Sequence, residues 1–183
     1  LFLAYIVGTC FFGFNPRTTL EVVGGEQRLR RIAGLIQSCE FSFHDLSRVE
    51  LDNREPLTPR FNMPFEAGLA VMHSFVSKAP GHTYFIFEAD YRRLQKSLSD
   101  LGGTDVYAHN GTPKGVLREI SNALIGARLR PSVSDLLSLL KQVQRKLNRI
   151  MSAAGAETPY SARVFHELVF FARKLVLEEL SDG

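Results

Sequence analysis

Little in this 183-residue chain supports chemistry that depends on thiols or metal ions: it has two cysteines and no tryptophan. Cys10 and Cys39 lie in apolar stretches without CxxC spacing, so a zinc site or redox motif lacks its ligands and two buried free thiols in a reducing cytosol are predicted. The His and carboxylate residues do not assemble at metal-ligand spacing, and no metal is expected. GxGxxG, Walker, HExxH and GxSxG patterns are all missing, which removes the dinucleotide, kinase-like, zinc-peptidase and serine-hydrolase readings. Long apolar runs are missing as well. The apolar start at residues 1–7 is followed by Gly8 and Gly13, falls short of the roughly 20 residues a bilayer span takes, and lacks a basic n-region and a cleavage site. A cytoplasmic protein without a membrane partner is expected.

Charge of one sign is not dominant either, with 22 Lys and Arg against 19 Asp and Glu, a net +3 and a pI near 9.0. The basic residues are scattered except between Arg128 and Arg149. That suits an anionic ligand or partner and specifies no nucleic acid.

The 45% hydrophobic content is enough for a sizeable core, so one α/β domain with a helical appendage is expected. Residues 14–23 are β-prone after Pro16 and close on Gly24-Gly25, predicting a strand and a turn. Leu29, Ile32, Leu35, Ile36 and Cys39 recur at helical spacing, and residues 41–46 alternate as a strand that puts Asp45 at its carboxyl end. Residues 49–62, with Asp52, Asn53, Pro56 and Pro59, predict a long loop of the length that is often functional. Pro64 suits a helix first turn, and Phe65, Leu69, Met72 and Val76 are expected as that helix's buried stripe, with Glu66, Ala70 and His73 on an adjacent face. Residues 84–87 read as a buried strand, 91–101 as a helix, 105–109 as a short strand, and the segment after Thr112-Pro113 as a helix. The alternation predicts a parallel sheet of four strands covered by helices, with ligands beyond the strands' carboxyl ends. Residues 133–150 and 161–180 predict an amphipathic helical hairpin, joined through the small residues 152–156.

Glu66 is the central candidate for chemistry, because a carboxylate at a helix start among Met63, Phe65 and Leu69 can be partly desolvated. Burial would raise its pKa and the helix dipole would lower it. An ordinary first-turn acid is the competing reading. Asp45, with His44, Ser47 and Arg48 beside it, could orient a ligand hydroxyl or base, while Arg48 or Arg60 could hold a phosphate. Alternatively Asp45 caps a turn and Arg48 is solvated. Asp90 after the 84–87 strand could face the same crevice, with a helix cap as the stronger reading, and His73 reads as a surface or packing residue.

His44-Asp45-Leu46-Ser47-Arg48 followed by Pro59-Arg60-Phe61-Asn62-Met63-Pro64-Phe65-Glu66-Ala67-Gly68-Leu69 resembles a bacterial group of TIR-like proteins related in fold to nucleoside 2-deoxyribosyltransferases. The resemblance extends less sharply over residues 91–103 and covers residues 1–124. It implies a flavodoxin-like parallel sheet flanked by helices in a domain at 1–128, then a C-terminal helical region at 132–183. Ala67 stands where the related motif has a larger aliphatic residue. Such proteins begin with a strand and a polar loop, whereas the chain reads as a helix over residues 1–12, so that first strand is expected to be missing.

Members of this superfamily cleave or exchange N-glycosidic bonds of nucleosides or NAD. The resemblance therefore implies a hydrolase or transferase with Glu66 as catalytic carboxylate and Asp45 as ligand-orienting acid. His44, Ser47, Arg48, Arg60 and Asn62 would bind substrate, with no cofactor and NAD or a nucleotide as the ligand. A role in bacterial antiphage defence is among its implications, as is self-association or a partner protein on the C-terminal helices. The alternative is a non-catalytic nucleotide-sensing or protein-interaction module.

Overall fold

The computed structural model describes residues 1–21, 27–48, 55–58, 60–77, 81–91 and 93–182. Val22, Val23, the Gly24-Gly25 turn, Asp52, Asn53, Pro59 and Arg92 lie outside these residues. Two compact units emerge: Glu26–Thr112, and Leu1–Gly25 together with Pro113–Gly183.

The first unit is α/β. Its helices are α2 (Arg28–Ser38), α3 (Asn62–Val76) and α4 (Arg93–Ser97), and its strands β1 (Phe41–Asp45), β2 (Thr83–Glu88) and β3 (Val106–Ala108). The strands form a parallel sheet in the order β1-β2-β3, with Asp45 paired to Phe87 and Phe87 to Tyr107. Among the described residues three strands are observed where four were expected. The difference lies at residues 14–21, which form no strand: Glu21 folds back, accepting from the Thr18 amide at 2.6 Å and pairing with Arg17 at 2.7 Å, and so closes a turn.

Alternation along each strand gives the sheet two different faces. One carries Phe41, Phe43, Phe85, Phe87 and Tyr107, whose rings contact one another, with Phe43 stacked on Phe85 at 5.6 Å and Phe87 on Tyr107 at 5.3 Å. The other packs Ile86, Tyr84 and Val106 against Leu46, Ala67 and Leu94. Ile32 and Ile36 of α2 meet Ala70 beside that core.

The helix α3 sits in the opposite rotation to the one expected. Ala67, Ala70 and Val71 are buried, whereas Phe65, Met72 and Val76 of the predicted stripe are more than half exposed and Leu69 alone of it packs, partly buried, on the core. The segment carries apolar residues on two sides, so periodicity alone admits both rotations. The alanine side lets the helix backbone approach the sheet closely, and that side is the one buried. The predicted 91–101 helix is likewise divided, into α4 and a 3-10 turn at Ser99–Leu101, because Leu98 adopts φ −140°, ψ 67° between them.

The second unit is helical: α1 (Phe2–Phe11), α5 (Pro113–Ala123), α6 (Val133–Ala153) and α7 (Ala162–Asp182). The helices α6 and α7 pack on each other and on α1, and α5 packs on α1 and α6. The helices α1 and α5, read from sequence as part of the α/β layer, thus share a core with the C-terminal pair. Gly8 lets α1 approach α5 closely, since a Cβ there would stand 2.8 Å from Ile120 Cδ1 and the Ile120 side chain would have to shift.

The two thiols are free but not alike. Cys10 is buried in this helical unit, and burial pushes its thiol up to about 12, with Arg173 pulling it partly back. Cys39 is half-buried, which corrects the expectation of two buried thiols. Because the thiolate is the reactive form, Ellman titration of the native protein at mildly alkaline pH should count Cys39 alone. Cys10 should appear only on adding denaturant, and two fast thiols in the native state would contradict this.

Candidate functional site

The sheet's carboxyl edge gathers three polar side chains from its two outer strands. Asp45 ends β1, Ser47 follows it, and His109 follows β3. Backbone bonds extend both segments along the end of β2, Leu46 N–H to Phe87 O at 2.8 Å and His109 N–H to Glu88 O at 2.8 Å. Asp45 Oδ1 accepts from the Ser47 amide at 3.0 Å and from the Ser47 hydroxyl. His109 Nε2 lies 3.0 Å from Ser47 Oγ and 3.4 Å from Asp45 Oδ2.

The direction of these bonds decides what the cluster can do. The Gly111 amide donates to His109 Nδ1 at 3.1 Å, which fixes Nδ1 as the acceptor and puts the ring proton on Nε2. Nε2–H then donates toward Ser47 Oγ and Asp45, and Ser47 gives its proton to Asp45. A serine nucleophile needs a basic imidazole nitrogen facing its hydroxyl, and here that nitrogen is a donor. Acyl transfer through Ser47 is excluded in this arrangement, despite the presence of all three residue types. The cluster instead holds Asp45 as an anion. Burial alone would raise its pKa, but the bonds from His109 and Ser47 outweigh burial and keep the carboxyl below its usual value. The Asp45 side chain keeps 24% of its surface exposed while His109 has none, so the carboxylate is fixed from below and partly exposed at the sheet's carboxyl edge.

Glu66 stands on α3 one turn from its start, half-buried. Desolvation raises its pKa, and the nearby Arg28 guanidinium of α2 partly offsets this. The helix packs on the Ile86 and Tyr84 face of the sheet, whereas Asp45 alternates onto the aromatic face. Among the described residues no hydrogen bond or ion pair joins Glu66 to Asp45. Arg48, Arg60 and Asn62 are exposed.

His44 takes a different place from the one expected. It points to the face opposite Asp45 and is 4% exposed. His82 Nδ1–H donates to Cys39 O at 2.8 Å, leaving Nε2 to accept from Ser42 Oγ at 2.8 Å. Ser42 in turn accepts from His44 Nε2 at 2.7 Å. His44 Nδ1 ends the chain, buried and without a hydrogen-bond partner among the described residues. Burial, with His82 adding to it, lowers the His44 pKa to about 4. His44 thus belongs to the buried polar network at the strand starts, not to the carboxyl edge. His73 lies beside this network, its ring 5.6 Å from His82.

Two residues escaped the sequence reading. His109 carried a usable signal, a histidine immediately beyond the third strand. Glu88 ends β2 fully buried, and its Oε2 accepts from the Leu94 amide at 2.9 Å. It thus supports the start of α4; Asp90, read from sequence as a helix cap, is exposed.

The helical unit contributes a groove of about 390 Å³ between α6 and α7, whose lining includes Lys146, Arg149, Arg163, Lys174, Glu167 and Phe170. Among the described residues, no group of three or more His, Cys, Asp or Glu side chains is placed to hold a metal ion, and no helix is long and apolar enough to cross a membrane. Compared with protein-family models, curated proteins and solved structures, the chain matches none.

Proposed function

We propose that the α/β unit binds a nucleotide or NAD at the carboxyl edge of its sheet and cleaves or exchanges its N-glycosidic bond, as a flavodoxin-like relative of the TIR and deoxyribosyltransferase group would. The carrying observation is the Asp45 carboxylate, held ionised by Ser47 and His109 and left partly open at that edge. Asp45 orients a ribose hydroxyl or base amide, and Glu66 stabilises the positive charge that develops on the sugar carbon as the base departs. The desolvation that raises the Glu66 pKa also strengthens its field on a nearby cation. Arg48 and Arg60 supply exposed positive charge for phosphate. Antiphage defence is the setting that the resemblance suggests.

A second reading has its own support. Glu66 and Asp45 share no described bond, and His109 has no free nitrogen to act as a base, an arrangement that suits a non-catalytic nucleotide-sensing module. The cation-rich groove of the C-terminal pair then offers the partner surface.

Incubation with NAD and with nucleosides, followed by chromatography, separates the two. Catalysis predicts free base from the wild type and at least a 100-fold slower release from Glu66→Gln, with Asp45→Asn weakening ligand binding. Equal release from wild type and Glu66→Gln removes Glu66 from the reaction. Binding that depends on Asp45, without base release, selects the sensing module.

A further inference from the structure

The rotation of α3 leaves an apolar face that nothing in its own unit covers with described side chains. Phe61, Phe65, Met72, Phe75 and Val76 are between 55% and 75% exposed. At 100° per residue these five positions and Gly68 fall within a sector of about 100° on the helix, with Ala67 and Ala70 on the far side and Val71 at its border. Single exposed apolar residues are ordinary, whereas a contiguous aromatic stripe marks an interface. We propose that this face is a homodimer interface, in which α3 packs antiparallel on α3 of a second copy about a two-fold axis near Gly68.

The stripe is complementary to itself in size. Gly68 lies at its middle, exposed, with no atom within 4 Å of the position its Cβ would take. Large side chains flank it, Phe61 and Phe65 before and Met72, Phe75 and Val76 after. A two-fold axis between Gly68 and Leu69 places Phe65 opposite Met72 of the other copy and Phe61 opposite Val76. Self-complementarity of this kind is what an isologous contact requires.

Charge agrees. The face carries no ionised side chain, and the one charged residue within α3, Glu66, lies on its flank, so a second copy brings no like-charge repulsion and no charge is buried. A charged partner surface gains nothing here. The area reaches the low end of what a specific contact needs. From the fractional exposures, the five residues expose at most roughly 600 Å² per copy, against about 800 Å² per partner in standard interfaces. A contact at this low end is expected to be reversible, so it is tested across micromolar concentrations.

Sedimentation velocity across about 1–100 μM tests it. The wild type should shift from 20.5 kDa toward twice that mass as concentration rises. Phe65→Glu and Met72→Lys, each at an exposed position and each checked for an unchanged far-UV CD spectrum, should stay monomeric throughout. Phe65→Glu combined with Met72→Lys should recover the dimer, because the two-fold axis sets each new glutamate against the other copy's new lysine. A wild type that remains monomeric overturns the proposal, as do single variants that still dimerise or a double variant that does not recover.

Discussion

Lowering the pH from 6.5 to about 4 is expected to cost the folded protein about 3 kcal/mol of stability, and His44 is the residue responsible. Its folded pKa is depressed to about 4 while the unfolded chain protonates near 6.5. Between those values the unfolded state binds a proton that the native state refuses, so the equilibrium moves toward unfolding as pH falls. Above 6.5 neither state is charged and the penalty is absent. The physical origin is the end of the Cys39–His82–Ser42–His44 chain, where a proton on His44 Nδ1 would create a buried cation with no acceptor. Urea unfolding across this window should give a steep decline for the wild type and a much flatter one for His44→Gln, whose amide still reaches Ser42. An unchanged slope in the variant would assign the acid sensitivity elsewhere.

His109→Ala is expected to destabilise the protein by about 3 kcal/mol, the usual scale for truncating a fully buried ring whose hydrogen bonds are all made. The imidazole ties the two outer strands together over the end of β2, and three partners lose it at once: Ser47 Oγ, Asp45 Oδ2 and the Gly111 amide. Part of that cost belongs to Asp45. Its folded pKa lies below 3.8, so its contribution is complete above 3.8 and is lost as pH falls through the lower folded value, a window distinct from that of His44. A double-mutant cycle with Asp45→Asn should therefore return a coupling of about 1 kcal/mol or more at neutral pH. Additive losses would mean that the short polar distances at this edge carry no shared energy.

The parts of the fold that follow from local pattern were legible. The alternation at residues 41–46 predicted β1 with Asp45 at its carboxyl end, and Pro64 marked the first turn of α3; both are observed. The failures share a physical cause. Residues 14–21 have strand composition, but an Arg17–Glu21 pair and a turn satisfy them locally, and composition does not register an ion pair. The α3 sequence is apolar on two sides, so its period fits two rotations, and only the space available against the sheet chooses between them.

The candidate site was less legible because its members come from separate strand ends. Asp45 and Ser47 are neighbours and stood out together; His109 lies 62 positions from Ser47 and joins them only through the order of the sheet. His44 was drawn to the same site by adjacency to Asp45, although in a strand adjacency means opposite faces.

The ring ladder of Phe41, Phe43, Phe85, Phe87 and Tyr107 gives the protein an optical signature of its own. In a chain without tryptophan, near-ultraviolet dichroism arises from tyrosine and phenylalanine held in asymmetric surroundings, and Tyr107 stacked on Phe87 joins β3 to β2. The part of that signal removed by Tyr107→Phe reports on sheet integrity separately from the far-ultraviolet signal, to which the long helices contribute most. Loss of the first with retention of the second would therefore distinguish melting of the α/β unit from melting of the whole chain, without any label.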